Sequence, residues 1–262
     1  TGARNTAIGE GSLKTLNFNG NGYSVAVGYN SGHLMSTGVE NTIVGALAGD
    51  ALTTGSYNVA IGKSALSTED AHGYNVAVGY QALANLNAGE DAYNIGVGYN
   101  AGVELTTGVR NTIIGGLAGD ALTTGNYNVA VGYAALSQED AHGTNVAMGY
   151  ASLANLNAGA DAYNVAVGYS AGLAMTTGNL NTLVGGEAGD SLTTGSRNVA
   201  VGTSALATED ANGRNTAVGY AALNAQNAGA DAYNVAVGYA AGTAMTTGIE
   251  NTLVGSSSGD AL

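Results

Sequence analysis

The chain has no cysteine, proline or tryptophan, and Phe18 is its only phenylalanine. Without cysteine there are no disulfides and no thiolate zinc sites, although that absence fits any cellular compartment. With 43 glycines in 262 residues and so few bulky rings, a thick core is excluded. A thin core of Val, Ile, Leu and Ala between close-packed backbones remains. Basic residues are also scarce: six Lys and Arg stand against 19 Asp and Glu, giving a net charge of −13 and a pI near 4.2. This balance argues against a nucleic-acid partner, which needs clustered cations, and suits a soluble surface. No apolar run reaches the length of a membrane span, so no membrane insertion is expected within this segment, and residues 1–30 lack a signal-peptide pattern. Missing proline, and glycine that does not recur every third residue, exclude collagen. The regular aliphatic positions exclude a disordered low-complexity chain.

What is present is repetition. The pentad Asn-x-x-aliphatic-Gly begins at Asn5, Asn41, Asn58, Asn75, Asn94, Asn111, Asn128, Asn145, Asn164, Asn181, Asn198, Asn215, Asn234 and Asn251, with Ser24 in the remaining slot. The steps run 19, 17, 17, 17 and then begin again, so fifteen units of 17 or 19 residues nest in a 70-residue super-repeat. "DAYNIGVGY" at Asp91 and "DAYNVAVGY" at Asp161 and Asp231 show the longer period directly. Fixed-period self-similarity of this length marks a solenoid, in which each unit contacts only its neighbours. We therefore expect an all-β fold, a parallel β-roll of about 15 coils, running as one repeat array over 1–262 with super-repeats of about 5–74, 75–144, 145–214 and an incomplete 215–262. "NTLVGSSSGDAL" stops where its counterpart "NTLVGGEAGDSL" continues into "TTG", so the array is expected to run on beyond Leu262. A hexapeptide left-handed helix is the second architecture, but its aliphatic-every-six pattern is missing.

β-branched residues at period two, closed by glycine, read as a short strand. The fourth position is aliphatic throughout and is expected to form the inner ladder: Val44, Ile61, Val78, Val97, Ile114, Val131, Met148, Val167, Val184, Val201, Val218 and Val237. The third position faces the other way: Ala60, Ala77, Gly96, Ile113, Ala130, Ala147, Ala166, Leu183, Ala200, Ala217 and Ala236. Apolar throughout and small except for the larger residue in every fourth coil, it is expected to face a partner chain, since a strand apolar on both faces is buried on both. Asn at the first position can bond nearby backbone and stack as a ladder. Gly at the fifth supplies positive φ or tight approach. Thr-Thr-Gly and Asn-Ala-Gly read as returning turns.

The units "NVAVGYQAL", "NTAVGYAAL" and "NVAIGKSAL" resemble the head repeat of trimeric autotransporter adhesins, the YadA-like head, and similar repeats in phage tail-fibre-like proteins. The resemblance covers essentially the whole chain. It implies a left-handed roll wound as an intertwined or side-by-side homotrimer, and an extracellular or virion attachment role toward a host or surface receptor, such as a glycan. The units here are longer than is common in that family, and no stalk, neck or membrane anchor is recognisable within these residues.

Catalysis has little to work with, and no enzyme, cofactor or metal site is expected. The histidines are His33, His72 and His142, the last two one super-repeat apart. The acids Glu69-Asp70, Glu139-Asp140 and Glu209-Asp210, with Asp50, Asp120, Asp190 and Asp260, match no calcium-loop pattern and read as solvated turns. All fifteen tyrosines sit just before the ladder Asn or Ser or just after the pentad Gly. Such a stripe binds sugars or covers a seam between chains with its hydroxyls wet, and the seam is favoured. The expected role is a non-catalytic structural fibre segment. A self-assembling bacterial extracellular filament is the alternative. An ice-binding solenoid, suggested by the Thr-Thr-Gly phrases, and a polysaccharide lyase are weaker.

Overall fold

The computed structural model describes residues 3–260. It forms two compact units, residues 1–128 and 129–262. The first contains seven three-residue strands, β1 (Thr6–Ile8) to β7 (Thr112–Ile114); the second contains eight, β8 (Val129–Val131) to β15 (Thr252–Val254). Within each unit consecutive strands pair in parallel and in register, as Val59 with Val76 or Val165 with Thr182. No helix occurs among the described residues. The β-solenoid expected from the repeat is therefore present, one strand per 17- or 19-residue coil.

The first-position side chains form the spine of each stack. In the first unit the Oδ1 of Asn41, Asn58, Asn75, Asn94 and Asn111 each accepts the backbone N–H of the next ladder residue, at 2.8–3.1 Å. In the second unit Asn145, Asn164, Asn181, Asn198, Asn215 and Asn234 do the same at 2.9–3.2 Å. Ser24 keeps the chain of bonds unbroken: its N–H donates to Asn5 and its hydroxyl accepts from Asn41. The free end of the amide is also used, as where Asn94 Nδ2 donates to the carbonyl of Gly108 at 2.7 Å. Buried polar groups need such partners, and Asn supplies both an acceptor and donors.

The burial of this spine decides which face of the strand is interior, and it reverses the expectation. Side chains alternate along a strand, so a buried Asn58 places Ala60 inside and Val59 and Ile61 outside. Ala60, Ala77, Ile113, Ala130, Ala147, Ala166, Leu183, Ala200, Ala217 and Ala236 are 0% exposed within the single chain, and Gly96 is buried with them. They form the interior ladder and face no partner. Val44, Ile61, Val78, Val97, Ile114, Val131, Met148, Val167, Val184, Val201, Val218 and Val237 point outward and are half-buried or exposed, Ile61 at 37% and Met148 at 41%. The physical reason is width. A 17-residue coil is narrow, and its opposite arcs already deliver Leu52, Leu66, Leu83, Leu86, Leu105, Leu122, Leu136, Leu153 and Leu156 to the interior, which leaves room only for Ala or Gly on most strands.

The larger third-position residue in every fourth coil completes this packing. Ile43, Ile113 and Leu183 lie over glycines that replace the leucine found in other coils. A Cβ added at Gly102 would stand 2.8 Å from Ile113 Cδ1 and 2.9 Å from Leu83 Cδ2; one at Gly172 would stand 2.8 Å from both Leu153 and Leu183. Interior volume is thus conserved between coils, as close packing requires. The pentad glycines carry positive φ, for example Gly79 at 140°, where an added Cβ would fall on the carbonyl oxygen of Gly98 in the next coil.

The residue before each ladder position is left-handed in all fifteen coils, for example Tyr57 at φ 62°, Arg110 at 59° and Leu180 at 59°. This bend swings the chain out of the return arc and into the strand. Cross-coil bonds hold it, such as the Tyr57 N–H to the Val39 carbonyl at 3.1 Å.

Candidate interaction face

Four side chains per coil point outward around the strand: the residue before Asn, the second and fourth positions, and the residue after Gly. In the coil at Asn58 these are Tyr57, Val59, Ile61 and Lys63. Copied from coil to coil, they make one aliphatic column at the fourth position and one mixed Val, Ile and Thr column at the second, flanked by two columns rich in tyrosine. All fifteen tyrosines lie in the flanking columns and are 41–60% exposed. Rings in successive coils stack: Tyr57 on Tyr74 and Tyr74 on Tyr93 at 4.9 Å between centroids, Tyr80 on Tyr99 at 5.5 Å, Tyr133 on Tyr150 at 5.6 Å, Tyr150 on Tyr169 at 5.3 Å and Tyr220 on Tyr239 at 5.2 Å. Where the column changes residue, cations take over. Arg4, Arg110 and Arg214 lie over Tyr23, Tyr127 and Tyr233 at 5.1–5.7 Å, within cation–π range.

Charge is segregated in the same way. Arg4, Arg110, Arg197, Arg214 and Lys63 occupy the flanking columns, leaving only Lys14 elsewhere, whereas Glu10, Glu40 and Glu250 are the only acids there out of 19. The strand face is slightly basic on a strongly acidic chain. Stacked rings in the middle of a run, such as Tyr74 and Tyr150, have both π faces covered by their neighbours. They offer ring edges and hydroxyls outward, which suits packing and hydrogen bonding better than a sugar-stacking platform.

The acids do not all lie in solvated turns as expected. Glu69, Glu139 and Glu209 are fully buried, while Asp70 is half-exposed and Asp210 exposed. The Glu69 carboxylate accepts the N–H of His72 at 3.1 Å and of Ala88, in the next coil, at 3.4 Å; Glu139 accepts those of His142 and Ala158 in the same way. The carboxylate therefore closes its own turn and ties it to the neighbouring coil. Apart from the 70-residue spacing, no sequence signal distinguished these glutamates from their exposed neighbours. Desolvation raises the carboxyl pKa of Glu139 and of Glu209 above the ordinary value, and likewise those of the half-buried Asp50, Asp120 and Asp190.

His72 Nδ1 lies 3.3 Å from Glu69 Oε1, and His142 Nδ1 lies 3.4 Å from Glu139 Oε1. With Asp70 and Asp140 they make two groups whose possible ligand atoms fall within 4.8 Å of one another. In the third super-repeat Asn212 stands where the histidine would be and donates to Glu209 Oε1 from both its backbone N–H and its Nδ2, at 3.3 and 3.2 Å. An amide does the same work there, so the grouping closes a turn. His33 Nδ1 lies 3.1 Å from the Gly11 carbonyl. The first threonine hydroxyl of several Thr-Thr-Gly phrases is committed to a carbonyl of the next coil, as Thr53 to Asp70 at 2.9 Å, Thr106 to Thr123 at 3.0 Å and Thr193 to Asp210 at 2.9 Å. These hydroxyls serve as rungs between coils.

Comparison with protein-family models, curated proteins and solved structures finds no match to this chain.

Proposed function

We propose that the chain is a structural segment of an extracellular or virion attachment fibre, non-catalytic and adhesin-like, in which copies associate through the outward strand face. The observation that carries this reading is the composition of that face: every tyrosine and every arginine of the chain gathers there, while 16 of the 19 acids lie elsewhere. Tyr and Arg are enriched, and Asp and Glu depleted, where proteins meet proteins. An exposed stripe of Val, Ile and Thr bordered by tyrosines also calls for a cover. Seven or eight coils about 4.8 Å apart, each presenting about 20 Å of extended chain, give roughly 700 Å² per unit. That is close to the roughly 800 Å² per partner of a standard interface.

Closed symmetry suits such a stripe, and the resemblance to YadA-like heads makes a left-handed homotrimer the assembly we propose, with the Val and Ile columns toward the axis in place of the Ala column. Repetition of the same surface in every coil gives avidity without any single strong site. Immunogold electron microscopy of the native source with antibody to this segment tests the role. Gold along fibres of a virion or cell surface is the expected result; gold confined to the cell interior would overturn it.

A further inference from the structure

The stacked tyrosines do more than border a seam. They are the only oxidisable rings of their kind on the surface, in a chain without cysteine or tryptophan to compete for an electron hole. Three of the four methionines, Met35, Met175 and Met245, are buried, leaving Met148 as the exposed competitor. Tyr57, Tyr74 and Tyr93 stand in consecutive coils with rings 4.9 Å apart and only 13–15° from parallel. Each is 42–50% exposed, so an oxidant reaches the ring and the side chain has room to tilt.

We propose that the stacked tyrosine runs are modification sites, at which a peroxide-driven one-electron oxidant joins adjacent coils through dityrosine bonds. Two phenols each lose one electron and one proton to become phenoxyl radicals. The radicals couple through a carbon ortho to each oxygen, forming one C–C bond. Each coupled ring then moves its ortho hydrogen to oxygen and regains its phenol. The two electrons and two protons released reduce one peroxide to two waters, so the step balances with peroxide as the oxidant and a haem peroxidase as its agent. The stack lowers the search to neighbours already in place, which is how proximity accelerates coupling. The product is a covalent staple between coils 17 or 19 residues apart, in a protein that has no disulfide to serve that end. This inference goes beyond the fibre reading and concerns the chain while its strand face is uncovered, before copies associate over it.

The test is treatment of the dilute, intact chain with hydrogen peroxide and a haem peroxidase, followed by digestion and mass spectrometry. Expected are peptides joined with loss of two hydrogens per bond, linking Tyr57 to Tyr74 or Tyr74 to Tyr93, Tyr80 to Tyr99, Tyr133 to Tyr150 or Tyr150 to Tyr169, and Tyr220 to Tyr239. Tyr23, Tyr29, Tyr127, Tyr163 and Tyr233, which have no tyrosine at the same position of an adjacent coil, are expected to stay uncoupled. The bulk of the protein should keep single-chain mobility on a denaturing gel. Tyr74→Phe should abolish both links of its run and spare Tyr80–Tyr99. Coupling of unstacked tyrosines as often as stacked ones would overturn the proposal, as would coupling mainly between molecules. Selectivity that survives in denaturant, or no coupling while free tyrosine in the same tube dimerises, would overturn it too.

Discussion

The Oδ1 of Asn75 accepts the backbone N–H of Asn94 at 3.1 Å, and both side chains are fully buried. One side chain thus satisfies the amide of the next coil at the point where its strand begins. Removing it by Asn75→Ala leaves that buried N–H without a partner, and the Gly73 carbonyl also loses the Nδ2 bond at 3.2 Å. A loss of about 2–4 kcal/mol in unfolding free energy is expected by denaturant titration. Asn75→Ser should cost less, because Ser24 fills the same role naturally.

Two glycines of one unit should respond in opposite ways. Gly79, at φ 140°, abuts the carbonyl of Gly98, so Gly79→Ala is expected to cost about 3 kcal/mol or more. Gly96 has no positive φ, and its added Cβ would meet only the side chain of Leu83, at 2.6 Å from Cγ. Ala166 and Ala236 occupy the equivalent place in later super-repeats. Gly96→Ala is therefore expected to be neutral or to stabilise by about 0.5 kcal/mol, through the unfolded chain. Paired thermal melts check both.

Leu180 is 48% exposed and left-handed at φ 59°. Little packing is lost on shortening it, while the backbone strain is relieved. Leu180→Gly should raise stability by up to about 1 kcal/mol, whereas β-branched Leu180→Val should lower it by about as much. If the two variants melted alike, the left-handed bend before the ladder would be wrong.

The positions of the coils, the strands and the ladder residues were legible, because each coil repeats its own local instructions: a polar bonding group, a β-branched alternation and a glycine stop. The direction of the strand was not. With Val on one side and Ala on the other, both faces read as apolar, and assigning the bulkier one to the interior ignored the leucines that the return arcs bring in. Asn58 held the answer. Once its amide is recognised as a buried rung, period two puts Ala60 inside and Ile61 outside. Glu69 was hidden for a different reason, since a lone glutamate looks the same whether it meets water or two backbone amides.

Stability should depend on pH in a defined direction. Desolvation raises the carboxyl pKa values of Glu139, Glu209, Asp50, Asp120 and Asp190 in the folded chain. Between the unfolded and the raised folded pKa the native state binds more protons, so stability falls as pH rises through that window. The penalty is absent below the usual carboxylate range of about 4 and grows as pH rises through the raised folded pKa values. Tm should therefore rise as pH is lowered from 7 toward about 4.5. Glu209→Gln, which removes a buried charge whose Oε2 has no partner among the described residues, should flatten the profile.

The orientation of the strand faces and the proposed assembly meet in a single measurement. Multi-angle light scattering on the purified segment, a chain of 25.6 kDa, should return the mass of three chains. Val201→Glu, on the outward face, should reduce it to one chain while circular dichroism stays unchanged. A wild-type mass of one chain, or an outward-face charge that leaves the assembly intact, would contradict the account.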